Sequence, residues 1–278
     1  MGLPDRAASY RKRGFTLKKE KNGFYFLLSC MSVALFLLIW YFCTDVLHLT
    51  TNITLPGPVK IVETFIYKLD HTAPDGGTLI QHMTASLKVA LAGYALGILI
   101  GVPTGIFMAW YKPVDLLVRP VFDFVKAVPG LAWAPLMIII LGIGFTSKAV
   151  TIFIAGMVPC VLNSYAGIKQ TKDVHMWVAR TFGASRSQML FKVAIPTALP
   201  YIMTGIRVAL GASWMSIVAA ELIASSRGLG YMIQQCRGIY RPDVIIVGML
   251  AIGFLGSILT WIIGLIEKIV VKGRSHDA

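Results

Sequence analysis

Residues 24–43 run for twenty positions without one charged side chain. At a rise of about 1.5 Å per residue a helix of that length spans the roughly 30 Å hydrocarbon core of a bilayer. Only helices and closed barrels can cross that core, because no water is there to satisfy backbone N–H and C=O groups. Further apolar blocks follow at 89–110, 131–145, 149–168, 198–223 and 244–266. The expected fold is all-α and integral to a membrane, with six transmembrane helices. Composition agrees: 56% of the 278 residues are hydrophobic and 14% charged, where soluble domains carry about a quarter charged. The first block is too long for the apolar core of a signal peptide and no small-residue cleavage site follows it, so it is read as a retained span.

The polar intervals divide the chain into a basic tail at 1–23, the first span at 24–43, a polar segment at 44–84, a core at 85–266 and a second tail at 267–278. The 44–84 segment is broken by Pro56, Pro58, Pro74, Gly76 and Gly77 and holds an amphipathic stretch at 59–69. Glycines at 93, 97, 101 and 105 form one helical stripe, which reads as a packing seam. Residues 111–128 are amphipathic and are expected to lie along the inner membrane surface. The 131–145 span carries Pro135 and is expected to be tilted or partly unwound; only Thr146, Ser147 and Lys148 separate it from the next span. The net charge of +13 would suggest nucleic acid in a soluble protein. Here Lys and Arg number 18 in the intervals on the side of the N-terminus and 6 on the other. By the positive-inside rule both termini and the 169–196 interval are expected in the cytoplasm, and nucleic acid is not an expected partner.

That interval is the chain's longest polar, basic break between two spans. It reads as a helix to Phe182, a break at Gly183, a second helix from Ser185, and Pro196 opening the fifth span. Such an elbow needs a glycine for a sharp turn. It also needs an apolar face to seat in a partner's groove, here Val178, Phe182, Met189 and Leu190.

Gly183, nine further residues, then Val193, Ala194, Ile195 and Pro196 resemble the "EAA" loop of ABC-importer permeases. Trp177, Val178 and Ala179 occupy the Glu-Ala-Ala positions, so only the last alanine matches. The runs Leu131-Ala132-Trp133-Ala134-Pro135-Leu136 with Gly142-Ile143-Gly144, and Val218-Ala219-Ala220-Glu221-Leu222-Ile223 with Arg227-Gly228-Leu229-Gly230, are similar to the taurine, sulfonate and nitrate permeases, closest to the taurine type. Members commonly carry an acid after Gly-Ile-Gly, where this chain has Phe145. The resemblance implies a bacterial inner-membrane permease subunit that works as a homodimer. It also implies an extracytoplasmic substrate-binding protein and two cytoplasmic ATPase subunits that carry the ATP and Mg, with no cofactor in this chain. The coupling residues it implies are Trp177, Val178, Ala179, Phe182, Gly183, Ala184, Met189, Leu190, Ile195 and Pro196.

Charges and polar groups within the fifth span supply candidates for a translocation path: Arg207, Ser213, Trp214, Met215 and Glu221. Arg207 either faces a wet path and draws in an anion, or snorkels to a surface or pairs with a carbonyl, because a lone charge there is costly. Glu221 either bonds the following turn or closes a gate, and Trp214 and Met215 are equally residues of packing. No Gly-x-x-x-x-Gly-Lys-Ser/Thr loop occurs, so any ATP is hydrolysed on another chain. The five histidines lack ligand spacing, and Cys30, Cys43, Cys160 and Cys236 lack paired spacing, so neither a metal site nor a disulfide framework is indicated. An ATP-independent secondary transporter or channel for small anions stays open as the alternative, though no inverted repeat or filter loop is visible.

Overall fold

The computed structural model describes residues 22–51, 53–223 and 225–271, and every regular element among them is helical. The tail at 1–21 and the last residues, 272–278, lie outside the described residues. Helix α1 (Asn22–Tyr41) ends in a π turn at Phe42–Val46 and is almost wholly exposed within the single chain. It is followed by α2 (Pro58–Asp70), α3 (Leu79–Trp110) and α4 (Lys112–Ala127). A 3₁₀ turn at Gly130–Trp133 leads into α5 (Ala134–Leu141), then α6 (Phe145–Lys169), α7 (Asp173–Thr181) and α8 (Arg186–Met189). A π turn at Leu190–Ala194 joins α8 to α9 (Ile195–Ile223), and α10 (Leu229–Gly238) and α11 (Pro242–Val271) complete the chain. Among the described residues, five helices are long and apolar enough to cross a membrane, or six if α4 and the segment after it form one bent span.

The bundle is built around α6. The glycine stripe of α3 lies against it, and the two helices run in the same direction, Gly93 facing Ala149 and Ile152 and Gly105 facing Val161 and Ser164. A Cβ at Gly93 would lie 2.6 Å from the Ala149 carbonyl oxygen, and one at Gly105 would lie 2.4 Å from that of Val161. The seam is therefore backbone against backbone, which lets dispersion act along the full contact where lipid offers no hydrophobic drive between helices. Helix α9 packs on another face of α6, antiparallel, with Gly156 under Ser213, Gly205 under Asn163 and Gly167 under Tyr201 and Ala198. Helix α11 runs antiparallel to α9. One end of the bundle carries the α7–α8 elbow; the opposite end, with α2, α10 and the start of α11, is the far end.

Two expectations change here. Helix α3 begins ten residues before 89, because Thr78 and Gln81 form a reciprocal capping box that starts the helix in what reads as polar linker. Helix α4 does not lie flat on one face of the bundle. It climbs beside α6, with Arg119 bonding the Tyr165 hydroxyl at 2.6 Å, Phe122 packed on Val161, and Gly130, just beyond its end, against Ala155 near the middle of α6. Its charges can make that climb because they are paired along the helix, Asp115 with Arg119 and Asp123 with Lys126. The chain then bends by 93° into Gly130–Leu141. The third span, read as the single block 131–145, is thus in the structure the second arm of a bent helix pair, with α4 as its first.

The seam predicts a sharp contrast between glycines. Gly105→Leu should lower the thermal midpoint of the detergent-solubilised protein by the equivalent of about 1–3 kcal/mol, the usual cost of overpacking. Gly253→Ala, whose Cβ meets nothing within 4 Å, should leave the midpoint unchanged or raised.

Candidate docking and translocation sites

The elbow is closed by two local devices. Helix α7 ends in a Schellman motif: Gly183, at φ +76°, sends its N–H to the Arg180 carbonyl at 2.9 Å, and the Ala184 N–H reaches the Ala179 carbonyl at 3.0 Å. Ser185 then caps α8, its Oγ accepting from the Gln188 N–H at 3.3 Å while the Gln188 side chain accepts from the Ser185 N–H at 2.8 Å. A glycine is required at 183 by its backbone conformation and not by space, since a Cβ there would touch nothing.

The apolar face divides in two. Trp177, Val178 and Phe182 are exposed, Phe182 by 87%. Met189 and Leu190 are buried, Leu190 in a cluster with Ile106, Ile168, Ala194, Ala198 and Ile202. Those two side chains anchor the elbow to the bundle and are not free to meet a partner, while Ala179, Ala184, Ile195 and Pro196 are half-buried. Nor does Pro196 open the fifth span. Arg186–Ile223 is one continuous helical run, and the π turn just before Pro196 absorbs the ladder defect that a proline imposes.

The five path candidates do not converge. Arg207 forms an ion pair with Glu267 of α11. Ser213 is buried against Gly156 of α6. The Trp214 indole N–H donates to the Ile252 carbonyl of α11 at 3.2 Å. Met215 is 77% exposed, standing between a groove of about 660 Å³ along α9 and α11 and a second of about 430 Å³ at the break in the third span. Glu221 is buried at the far end, away from both.

Glu221 caps another helix from a distance. The first N–H groups of α10 have no acceptor in their own helix. The Gly228 N–H donates to His82 Nδ1 at 3.1 Å, the Leu229 N–H to Ser86 Oγ at 2.8 Å and the Gly230 N–H to Glu221 Oε2 at 2.9 Å. Ser86 Oγ gives its own proton to the Glu221 carboxylate at 2.8 Å. A Cβ on Gly228 would lie 2.2 Å from Glu221 Oε1, so glycine alone fits there. The bond to the following turn, and not a gate, is the role this geometry gives Glu221.

A neighbouring buried set was not marked by the sequence reading. Lys68 Nζ donates to Asp75 Oδ1 and to the Gly77 carbonyl, both at 2.6 Å. The other carboxylate oxygen, Asp75 Oδ2, faces His82 Nε2 at 2.7 Å. Because His82 Nδ1 accepts from Gly228, the ring proton sits on Nε2, toward Asp75. Thr64 and Arg241 both donate to Asp243, tying α2 to the start of α11. A periodicity signal was present: Ile61, Thr64 and Lys68 share one helical face of α2, and all three are buried.

A polytopic bundle of long apolar helices with a bent helix pair and a capped elbow at one end is the architecture of an integral membrane protein. The family described as binding-protein-dependent transport system inner membrane component matches residues 101–276, and the chain belongs to it. The taurine transport system permease protein TauC of Escherichia coli (strain K12) is 37% identical over 235 residues, 84% of each chain. The nitrate import permease NrtB of Synechocystis is 30% identical over 271 residues, 94% of this chain and 97% of that one. Among solved structures the inward-facing MetNI methionine ABC transporter matches with a TM-score of 0.62 at 17% identity, covering 69% of this chain and 95% of the other. Like its relatives the chain is a membrane permease component and not an enzyme.

The far-end set has a pH signature. Burial opposes ionisation of Asp75, but the donors on His82 and Lys68, with the charge of Lys68, outweigh it and hold the carboxyl below its usual 3.8. A carboxylate lowered by folding stabilises the native state above its unfolded value, and that contribution is lost as pH falls through the folded one. The thermal-midpoint advantage of the wild type over Asp75→Asn should be flat above about pH 5 and shrink below about pH 4. An advantage unchanged down to about pH 3 would contradict this reading.

Proposed function

We propose that the chain is the permease of an ATP-driven importer for a small anion, taurine or another sulfonate, assembled as two permease copies with two cytoplasmic ATPase subunits and an extracytoplasmic binding protein. ATP and Mg are held by the ATPase subunits. The elbow lies on the cytoplasmic side, as do both termini, in keeping with the excess of Lys and Arg on that side. The observation that carries the coupling part is the division of the elbow's apolar residues. Met189 and Leu190 fasten it to the bundle while Trp177, Val178 and Phe182 project into solvent, where their exposure has no use within this chain. An aromatic hook on a rigid, doubly capped turn can seat in a groove and pass its displacement on. The anion part rests on the taurine and nitrate relatives.

In proteoliposomes holding the permease, its ATPase subunits and the binding protein, Phe182→Ala should cut taurine uptake and substrate-stimulated ATP hydrolysis by about tenfold, as loss of a central aromatic contact does. Permease abundance should not change, since the side chain packs on nothing here. Gly183→Val, which forces a branched side chain into a left-handed backbone, should leave membrane insertion intact and separate hydrolysis from uptake. Undiminished coupled transport in both variants, or uptake by the permease alone without ATP, would overturn the proposal.

A further inference from the structure

The break in the third span leaves a cavity of about 430 Å³ beside the middle of α6, its wall formed by Lys126, Gly130, Leu131, Ala155, Met215 and Ser216 among others. Three features there have the same sign. The twelve-residue helical segment Gly130–Leu141 begins at this cavity, and the first acceptor used in its turn is the Pro129 carbonyl, taken by Ala132. The N–H groups of Gly130 and Leu131 therefore have no helix acceptor, and the positive end of the segment's dipole lies at the cavity wall. Ser216 is 5% exposed, lines the cavity, and makes no hydrogen bond within the protein; Ser213 and Ser164 are likewise unpartnered, but neither lines this cavity. Its Oγ lies 3.4 Å from where a Gly130 Cβ would stand, so the hydroxyl and the free amides share one corner. Lys126 closes the set. Its Nζ rests on Asp123 Oδ1 at 2.7 Å with both side chains more than two-fifths exposed, so it is held by a partner it can leave.

A buried hydroxyl without a partner and two helix-start amides without a helix acceptor offer their protons to whatever enters the cavity. We infer that this cavity is a transient site for the transported anion within the permease itself, receiving one small oxyanion group, a sulfonate or its like, on the Gly130 and Leu131 amides, the Ser216 hydroxyl and the Lys126 ammonium. The inference rests on the importer reading and adds to it a point of contact between substrate and permease. Asp123 opposes it in two ways, by competing for Lys126 and by repelling an anion, so its removal should tighten binding. Met215 stands at the mouth and is exposed enough to swing aside.

The test uses the detergent-solubilised complex of permease and ATPase subunits without binding protein, in equilibrium binding of radiolabelled taurine and nitrate. Saturable binding of at least one is expected. Ser216→Ala and Lys126→Met should each weaken it about tenfold, the scale of a lost hydrogen bond to a charge. Lys126→Arg should retain it and Asp123→Asn strengthen it. Ser164→Ala, at a hydroxyl equally buried and unpartnered but facing the α3 seam, should bind as wild type and shows that loss of a buried hydroxyl is not itself the cause. No saturable binding of either anion, or unaltered binding in both Ser216→Ala and Lys126→Met, overturns the site. The same preparation with binding protein and ATP separates the two readings. Coupled uptake with variant-insensitive binding removes the site and leaves the importer. Absence of ATP-driven uptake of either anion removes both.

Discussion

A bilayer interior offers no water to a peptide group, so every N–H and C=O inside it has to find an acceptor or donor within the protein. That requirement explains why the described chain is helical throughout, and also why its helix ends are so heavily managed. The start of α10 is the clearest case: its first three amides are satisfied by His82 and Ser86 from α3 and by Glu221 from α9. Helix α3 is thereby fixed to α9 and α10, far along the chain, by a single turn's unmet demand. At the other end of the bundle the Schellman closure at Gly183 and the capping box at Ser185 meet the same demand locally. At the break after α4 the first amides of the next segment find no such cap.

The spans were readable wherever an apolar run alone decides the outcome, as in α1, α6 and α11. Reading failed where charge was taken as evidence of surface. Helix α4 carries five charges, yet Asp115 is buried and bonded twice over by Arg119, so the charges accompany the helix into the bundle. Lys148, read as part of an outer loop, lies in the first turn of α6 and donates to Ser225 at 2.9 Å. Pairing is a tertiary fact that a count of charges does not contain. Local chemistry, by contrast, was present and underweighted: Thr78 and Gln81 spell the start of α3 in the sequence itself.

The path candidates show a related limit. Arg207, Ser213, Trp214, Met215 and Glu221 are close in sequence, but successive residues of an α-helix point about 100° apart. The structure sends Arg207 and Trp214 toward α11, Ser213 toward α6, Glu221 toward α3 and α10, and Met215 outward. Residues gathered by proximity in sequence and by polarity do not make a surface. Those gathered by the break in the third span, Lys126, Gly130 and Ser216, are up to ninety positions apart and were joined only by the fold. The elbow was legible because a glycine and two caps act over few residues. Which half of its apolar face is buried was not, since that depends on Ile106 and Ile168 from other helices.

The continuity of Arg186–Ile223 has a mechanical meaning. Thirty-eight residues in one helical run make a rod of about 57 Å, with the elbow's second arm at one tip and the carboxylate that holds α10 close to the other. Helices of this kind bend gently or kink at identifiable defects, and the π turn at Leu190–Ala194 and Pro200 are such defects, both near the elbow tip. Beyond them the rod is clasped to α6 through Gly156, Gly167 and Gly205. A push at the elbow therefore has two ways to spend itself, by flexing the defective first turns or by pivoting the stiff remainder about its contact with α6. In the second case the two tips swing in opposite directions, and what closes at one face of the membrane opens at the other.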